Sequence, residues 1–390
     1  MKKTTKKTTI ENEEAIDESR YNFNESDLKY LSLLSKQFPS IQKASTEIIN
    51  LQAILELPKG TEHFISDLHG EAEAFLHIVN NCSGNIRNKM QTLFKGRLSE
   101  EAIAELATLV YYPEVKLEMM TEAASDLTTW YRETLSILIE VCQDSASKFT
   151  RSKVRKSMPK DFEYILDELL HADHSIQNKE EYYSKIIQSI IDIDRADAFI
   201  IAICGVIKRL IIDRLHVLGD IYDRGERPDI IINYLMKHHS VDLQWGNHDI
   251  LWMGAASGSG ACICNVLTNA MKYNILTVIE DIYSINLLPL ALLAEDLYQE
   301  KVPKIYYPKV KVNYEMHDVD LMAKMRKVLS IIMFKLEGQI IKRHPNYRMN
   351  DRLLLDKIDY TNFTINLEGV TYPLLDNHFP TIDPNDPYTL

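Results

Sequence analysis

Three short polar segments of the sequence combine residue types that can bind metal ions and transfer protons. They read S-D-L-H-G-E at residues 66–71, G-D-I-Y-D-R-G at residues 219–225 and G-N-H-D at residues 246–249. Carboxylate, imidazole and amide groups are ligands for divalent cations, and a guanidinium forms a planar fork that suits phosphate oxygens. The chemistry these segments favour is therefore metal-assisted work on a phosphate group.

The first two segments supply most of the charged groups. Asp67 and His69 stand two residues apart, so that both can point towards one cation, although this pattern alone also fits a solvated turn. Asp220, Asp223 and Arg224 crowd a turn that has glycine at both ends. A structural ion pair between aspartate and arginine would explain the charges but not the glycines, which permit a close approach of the backbone to a ligand.

The third segment adds an amide and a second imidazole. Asn247 can offer its side-chain oxygen to a metal, and His248 is the type of residue best suited to donate a proton near neutral pH. Alone, this segment would also be read as a turn.

Each segment follows a predicted strand, which explains why the three could meet. The strands are expected at 63–65, 209–218 and 241–245, with helices over 71–79 and 228–238. A strand, a helix and a second strand in this order predict an α/β fold. Open α/β sheets build their sites at one end of the strands, so we expect the three segments to converge there.

The rest of the chain is predicted to be mainly helical. Residues 1–25 are charge-rich and are expected to form a disordered tail, and residues 26–60 form a helical lead that ends near Pro58. A domain over 61–390 follows, with a helical insertion at about 85–200. Helical spacing continues to about His344, apart from a predicted strand near 310–314.

Composition excludes several classes of protein. The net charge of −12 argues against nucleic acid as a partner, and an anionic substrate would need local cations to attract it. Five widely spaced cysteines give no disulfide framework and indicate a reducing compartment. The longest apolar run, 285–294, contains a proline and is too short to span a bilayer, so we expect a cytoplasmic protein without a membrane partner.

Together the segments resemble the signature of the calcineurin-like metallophosphatases, D-x-H, G-D-x-x-D-R-G and G-N-H-[DE], in that order. The resemblance implies an α/β fold built on a β-sandwich flanked by helices, here with a large helical insertion. It also implies two metal ions, of which Asp220 would bind both. The implied metal ligands are Asp67, His69, Asp220 and Asn247. The implied catalytic residues are His248 as general acid, Asp223 orienting it, and Arg224 on the substrate phosphate.

About 150 residues separate Asp67 from Asp220, whereas protein serine/threonine phosphatases join these motifs by a short stretch. This insertion and the strings around both motifs resemble the class III fructose-1,6-bisphosphatases. That resemblance implies two-metal hydrolysis of the 1-phosphate of fructose 1,6-bisphosphate to fructose 6-phosphate in gluconeogenesis. Mn²⁺ is favoured over Mg²⁺ by the mixed ligands. The alternatives are a protein phosphatase, a nucleotide pyrophosphohydrolase or a non-catalytic fragment.

The family signature closes with two later histidines, usually after glycine, that complete the metal sphere. The candidates here are His317, His344 and His378, and none follows a glycine. Because family members are also longer, we expect this chain to be the N-terminal part of the enzyme and to show little activity alone. Assembly into a homo-oligomer is left open.

Overall fold

We describe the chain from a computed structural model, in which residues 23–123, 126–171, 177–309 and 318–390 are described. The predicted strand at 310–314 and most of the predicted tail lie outside these ranges. The chain divides into two compact units, Met1–Pro58 and Lys59–Leu390. We describe each by itself.

The first unit contains two helices, α1 (Glu25–Gln37) and α2 (Ile41–Leu55). The side chain of Asn24 accepts a hydrogen bond from Asp27 N at the start of α1, and Ser40 accepts one from Lys43 N at the start of α2. These caps satisfy backbone donors that the first helical turn leaves without partners.

The second unit is an α/β structure whose parallel sheet contains β1 (Glu62–Ile65), β2 (Arg214–Val217) and β3 (Val241–Leu243). The strand order is β1-β2-β3, so β2 is central. Ile65 pairs with Val217, and Val217 pairs with Leu243, so the carboxyl ends of the three strands are level. The segments that follow the strands therefore leave the sheet at the same edge.

Helices cover one face of this sheet. They are α3 (Ala72–Asn80) and α12 (Pro228–Lys237), and α12 begins with proline at a position where helices tolerate it. The core between helices and sheet consists of Leu68, Ala72, Phe75, Val79, Leu215, Val217, Ile221, Ile231 and Leu235. On the opposite face Phe64, which is 57% exposed, is in register with His216 and the exposed Asp242. That face is open among the described residues.

Between β1 and β2 the chain forms a helical body with its own core. Its helices are α4 (Asn85–Leu93), α5 (Glu100–Tyr111), α6 (Pro113–Ala123), α7 (Leu127–Ala146), α8 (Arg151–Ser157), α9 (Glu163–Leu170), α10 (Gln177–Asp192) and α11 (Ala196–Ile211). Leu135 and Leu138 of α7 are fully buried, as are Phe199 and Ile203 of α11. The helical body thus packs around α7 and α11.

The end of α11 corrects one sequence prediction. A strand was expected over 209–218, but residues up to Ile211 are helical and β2 begins only at Arg214. Ile207, Leu210 and Ile211 are buried in the helical core, where they continue the helical spacing of the residues before them. A short apolar run does not distinguish a buried helix from a buried strand, and here the longer helix prevails.

The last part of the second unit is helical and ends in a small antiparallel sheet. Its helices are α13 (Asn247–Ala256), α14 (Gly260–Tyr273), α15 (Leu288–Leu297) and α16 (Val319–Arg343). Its strands are β4 (Ile358–Asp359), β5 (Thr364–Leu367) and β6 (Val370–Pro373), which the sequence did not predict. None of the helices in the described ranges combines the length and apolar character needed to cross a membrane.

Val217→Ala should destabilise the second unit by about 2 to 3 kcal/mol, because it removes two buried methyl groups from the central strand and leaves a cavity. Val217 is fully buried, whereas Val370 in β6 is 51% exposed. Val370→Ala is the matched control and should cost less than about 1 kcal/mol. Urea unfolding followed by circular dichroism would measure both, and equal costs would contradict the assignment of β2 to the core.

Candidate metal centre

Three side chains meet at the carboxyl edge of the parallel sheet. Asp67, His69 and Asp220 offer one ligand atom each, and these atoms lie within 4.8 Å of one another. Nε2 of His69 lies 3.7 Å from Oδ1 of Asp67. Two carboxylates and one imidazole at this spacing suit a divalent cation, and among the described residues no other group of three such side chains converges in this way.

The orientation of the His69 ring leaves its Nε2 free to bind a metal ion. Its Nδ1 lies 3.1 Å from the carbonyl oxygen of Tyr222, to which it donates a hydrogen bond. That bond fixes the tautomer and turns Nε2 towards the two aspartates, as is usual for histidines that bind metals. Tyr222 belongs to the second motif, so the two turns position each other's ligands.

The candidate ligands adopt left-handed backbone conformations, which are unusual for residues other than glycine. Asp67, His69 and Asp220 have φ values of 54°, 44° and 55°, and Asp223 and Arg224 have values of 66° and 76°. Residues with side chains seldom adopt this left-handed region, and each costs free energy that the surrounding structure must offset. Five such residues in two motifs indicate that the geometry of the site is maintained despite a cost in backbone strain.

Glycines allow the motifs to touch. A Cβ atom on Gly70, at φ 71°, would lie 2.5 Å from the carbonyl oxygen of Gly225. A Cβ atom on Gly246 would overlap Oδ1 of Asp220. Only glycine permits these approaches, so the backbones of the first and second motifs, and of the second and third, are in direct contact.

Asp249 holds the second and third motifs together. Its Oδ2 accepts hydrogen bonds from Asp220 N at 2.7 Å and Gly246 N at 2.8 Å. Its Oδ1 accepts from Ile221 N at 2.9 Å and Tyr222 N at 3.2 Å. The carboxylate is buried, and it satisfies four backbone donors that would otherwise lack partners.

His248 is held in a similar way by Asp223. Nδ1 of His248 lies 2.6 Å from Oδ2 of Asp223, whose side chain is fully buried. The same carboxylate accepts hydrogen bonds from Nε1 of Trp252 at 2.9 Å and from Nδ2 of Asn269 at 3.1 Å. These bonds fix the imidazole at Nδ1 and leave its Nε2 free for a proton transfer. The ring of His248 lies edge-on to that of His69, with centroids 5.3 Å apart.

Arg224 and Asn247 are exposed beside this group. The guanidinium of Arg224 lies 5.9 Å from the centre of the Tyr273 ring and makes no ion pair with a described carboxylate. Asn247 begins α13, and the backbone N–H of the next residue, His248, donates to Oδ1 of Asp220 at 3.2 Å. Asn247 therefore stands next to the edge of the metal group.

The later histidines do not join the metal group. His344 ends α16 and stacks on Tyr347, and His378 lies against Tyr298, with ring centroids 5.6 Å apart. His317 lies outside the described residues. No described histidine after His248 belongs to the converging group.

These features define an α/β protein with a candidate metal centre at the carboxyl edge of a parallel sheet. The family model of the Firmicute fructose-1,6-bisphosphatases matches residues 29–390. The chain belongs to this family, and the resemblance to the class III fructose-1,6-bisphosphatases is confirmed.

Curated relatives agree with this assignment. A class 3 fructose-1,6-bisphosphatase of Clostridium novyi is 55% identical over 376 residues, which are 96% of this chain and 56% of that protein. One from Alkaliphilus metalliredigens is 54% identical over 367 residues, covering 94% of this chain and 55% of the relative. The chain thus spans about half the length of the curated relatives it matches. No solved structure gives a significant match.

Sequence reasoning missed three residues that position the site. Asp249 was visible as the last letter of the third motif, but nothing in its type showed that it would bind four backbone amides. Trp252 lies one helical turn after His248, which is a signal that could have been used. Asn269 lies in α14, and its contact with Asp223 depends on helix packing that no local pattern reveals.

Asp249→Asn should weaken divalent metal binding by about 10- to 100-fold, the usual effect of removing a group that orients metal ligands. The amide would turn an NH₂ group towards backbone donors and lose one acceptor. Equilibrium dialysis against Mn²⁺ would measure the change. Asp296→Asn, at an exposed position of α15, is the control with the same change of charge. If both variants bind Mn²⁺ equally well, Asp249 does not support the centre.

Proposed function

We propose that the chain carries the catalytic centre of a fructose-1,6-bisphosphatase, which hydrolyses the 1-phosphate of fructose 1,6-bisphosphate to give fructose 6-phosphate. The observation that carries the proposal is the convergence of Asp67, His69 and Asp220 beside the bonded pair of His248 and Asp223. The names of the relatives support the substrate. The geometry supports a metal-dependent reaction on a phosphate.

The donor set fits divalent metal ions. Asp67, His69 and Asp220 would hold the first ion, and Asp220 with Asn247 would contribute to a second. Mixed carboxylate, imidazole and amide ligands favour Mn²⁺ over Mg²⁺. When bound, such ions supply Lewis-acid activation of water and neutralise charge on the phosphoryl group.

The protein's own residues supply the remaining steps. His248 would donate a proton from Nε2 to the departing sugar oxygen, while Asp223 holds the ring at Nδ1 and stabilises its positive charge. Trp252 and Asn269 keep Asp223 in place through their hydrogen bonds. Arg224 is exposed beside the site, so its guanidinium would bind phosphate oxygens and orient the substrate.

The same family assignment supports a finer account of the fold. We infer that the parallel sheet is one half of a calcineurin-like β-sandwich, because parallel strands are normally covered on both faces and this sheet has one open face, which bears the exposed Phe64. The helical body between β1 and β2 would be the insertion. Five free cysteines, of which four are buried, support a location in the reducing cytoplasm.

A substrate panel tests the proposed reaction. With Mn²⁺ present, release of phosphate would be measured from fructose 1,6-bisphosphate, fructose 6-phosphate, a phosphopeptide and a dinucleotide. The relative from Clostridium novyi serves as the positive control. We expect fructose 1,6-bisphosphate to be hydrolysed fastest, and the order of substrates, more than the absolute rate, is the test.

Faster release from the phosphopeptide, or cleavage of the dinucleotide, would instead support another metallophosphatase activity. If the relative is active and this chain binds Mn²⁺ but hydrolyses nothing, the chain is a non-catalytic subunit or fragment. Either result would overturn the proposal.

His248→Ala should lower kcat by about 10²- to 10⁴-fold, the usual contribution of a general acid, and leave metal binding nearly intact. The imidazole of His248 is not in the converging group, and the backbone N–H that donates to Asp220 is retained in alanine. Steady-state kinetics combined with metal analysis would separate the two effects. Loss of bound Mn²⁺ in this variant would contradict the role assigned to His248.

Asp220→Ala should have the opposite pattern, because it removes a direct ligand. We expect the Kd for Mn²⁺ to rise by at least about tenfold, since removing a group that only orients a ligand already costs that much. His248→Ala is the reference, because it lies in the same site without binding the metal. Unchanged Mn²⁺ affinity after Asp220→Ala would refute the proposed bridge.

A further inference from the structure

A second cleft lies at the amino end of the same parallel strands, whereas the metal group lies at their carboxyl end. Its volume is about 420 Å³, within the range of sites for small molecules. It lies where β1 and β2 begin and where α11 and α12 end. Its lining residues are His63, Val79, Asn80, Cys82, Gly205, Lys208, Arg209, Ile212, Leu215, Tyr234, Lys237, His238 and His239.

The charges around the cleft are all positive. Lys208, Arg209 and Lys237 line it, and no carboxylate does. Within the described ranges none of the three forms an ion pair, and Nζ of Lys208 contacts only the side-chain oxygen of Asn80, at 3.4 Å. The chain as a whole has 56 acidic and 44 basic residues. The three cations therefore repel one another, although the protein as a whole has more acidic than basic residues.

Three histidines share the cleft with these cations. Nδ1 of His238 bonds to Ser240 O at 2.9 Å, and Nε2 of His239 bonds to Asp213 O at 3.1 Å. Burial, followed by the nearby His238 and Arg209, lowers the pKa of His239 to about 4. Asp213 opposes this effect through its backbone carbonyl and its carboxylate, and that carboxylate is paired with Lys153. Burial is the larger cause of this low pKa and Arg209 adds to it, so an anion bound in the cleft would favour the protonated ring.

One structural explanation, the helix dipole, accounts for only part of this arrangement. Lys208, Arg209 and Lys237 lie in the last turns of α11 and α12, where cations stabilise the helix dipole. The helix dipole does not explain why these cations surround a cleft, why three histidines line it, or why no carboxylate does. A metal site is also excluded, because the cations would repel it and these histidines are not in the converging metal group.

A comparison within the molecule supports an anion as the ligand. Another cleft with several basic residues, near α8 and α9, is also lined by Glu163 and Asp167. There Arg155 pairs with Glu163 at 3.4 Å, so a carboxylate that lines this cleft offsets part of its positive charge. The cleft at the amino end of the sheet has no such compensation.

We propose that this cleft binds a small phosphate-bearing molecule, with the phosphate between Lys208, Arg209 and Lys237. Val79, Ile212 and Tyr234 provide an apolar wall for the rest of the ligand. Phosphate oxygens are the acceptors that arginine and lysine bind best. The site is separate from the metal centre and does not depend on the proposed reaction.

The experiment is a titration of the metal-free chain with inorganic phosphate and with glycerol phosphate, followed by ³¹P NMR. Arg224→Gln is introduced throughout, so that phosphate at the candidate metal centre does not contribute. Lys208→Gln with Arg209→Gln should weaken binding by at least about tenfold, because two charge-assisted hydrogen bonds are lost. Tighter binding of glycerol phosphate would identify an organic phosphate as the natural ligand type, and equal binding would identify phosphate itself.

The matched control is Lys342→Gln with Arg343→Gln, an adjacent lysine and arginine in the last turn of α16. It removes the same charge from a helix end without a role in the cleft, and binding should change less than about twofold. If phosphate does not bind, or if both double variants bind equally, the proposal fails. If the Lys208/Arg209 double variant does not fold, the pKa of His239 is measured by NMR in the chain that carries only Arg224→Gln, with and without phosphate. Phosphate must then raise the pKa of His239, and an unchanged pKa overturns the site.

Discussion

The direct contact of three strand-ending turns is the constraint on which the rest of this molecule depends. The candidate metal ligands Asp67, His69 and Asp220 come from two turns, and the imidazole of His248 comes from the third. They can act together only if the backbones approach to van der Waals distance. Glycines at the contacts make that approach sterically permissible, and the carboxylate of Asp249, through four backbone N–H groups, makes it favourable. Without this acceptor, bringing two turns together would bury donors that water would otherwise satisfy.

The same contacts account for the left-handed backbone of five motif residues. Each such conformation is unfavourable for a residue with a side chain, yet here they turn Asp67, Asp220 and their neighbours towards one point. The offsetting free energy comes from hydrogen bonds between turns, such as His69 N to Asp220 O at 2.8 Å and Gly225 N to His69 O at 2.7 Å. Hydrogen bonds between the turns therefore offset the strain of several residues together.

Much of the site could be predicted from the sequence, because its residues follow strands whose ends must meet at one edge of a parallel sheet. Asp67, His69 and Asp220 converge as predicted. The pairing of His248 with Asp223, which the family resemblance implied, is also present. What escaped prediction depends on tertiary packing. Leu210 and Ile211 extend α11 because the helical core buries them, and the contact of Asn269 with Asp223 requires α14 to pack beside the second turn. Local spacing carries no information on either.

The parallel sheet also separates two kinds of charge along its strands. At the carboxyl edge the carboxylates of Asp67 and Asp220 lie close enough to need a cation between them. At the amino edge Lys208, Arg209 and Lys237 lie around a cleft without an acid. The like charges within each group repel one another, so each group is more stable with a bound ligand of opposite charge. Strand β2, Arg214–Val217, connects the two groups. Repulsion among like charges on exposed and partly buried side chains therefore suggests the same explanation for both edges, which is a bound ligand of opposite charge. A protein built in this way would have its two ends stabilised by a metal and by an anion, and the rigid central strand would be the element that both ligands share.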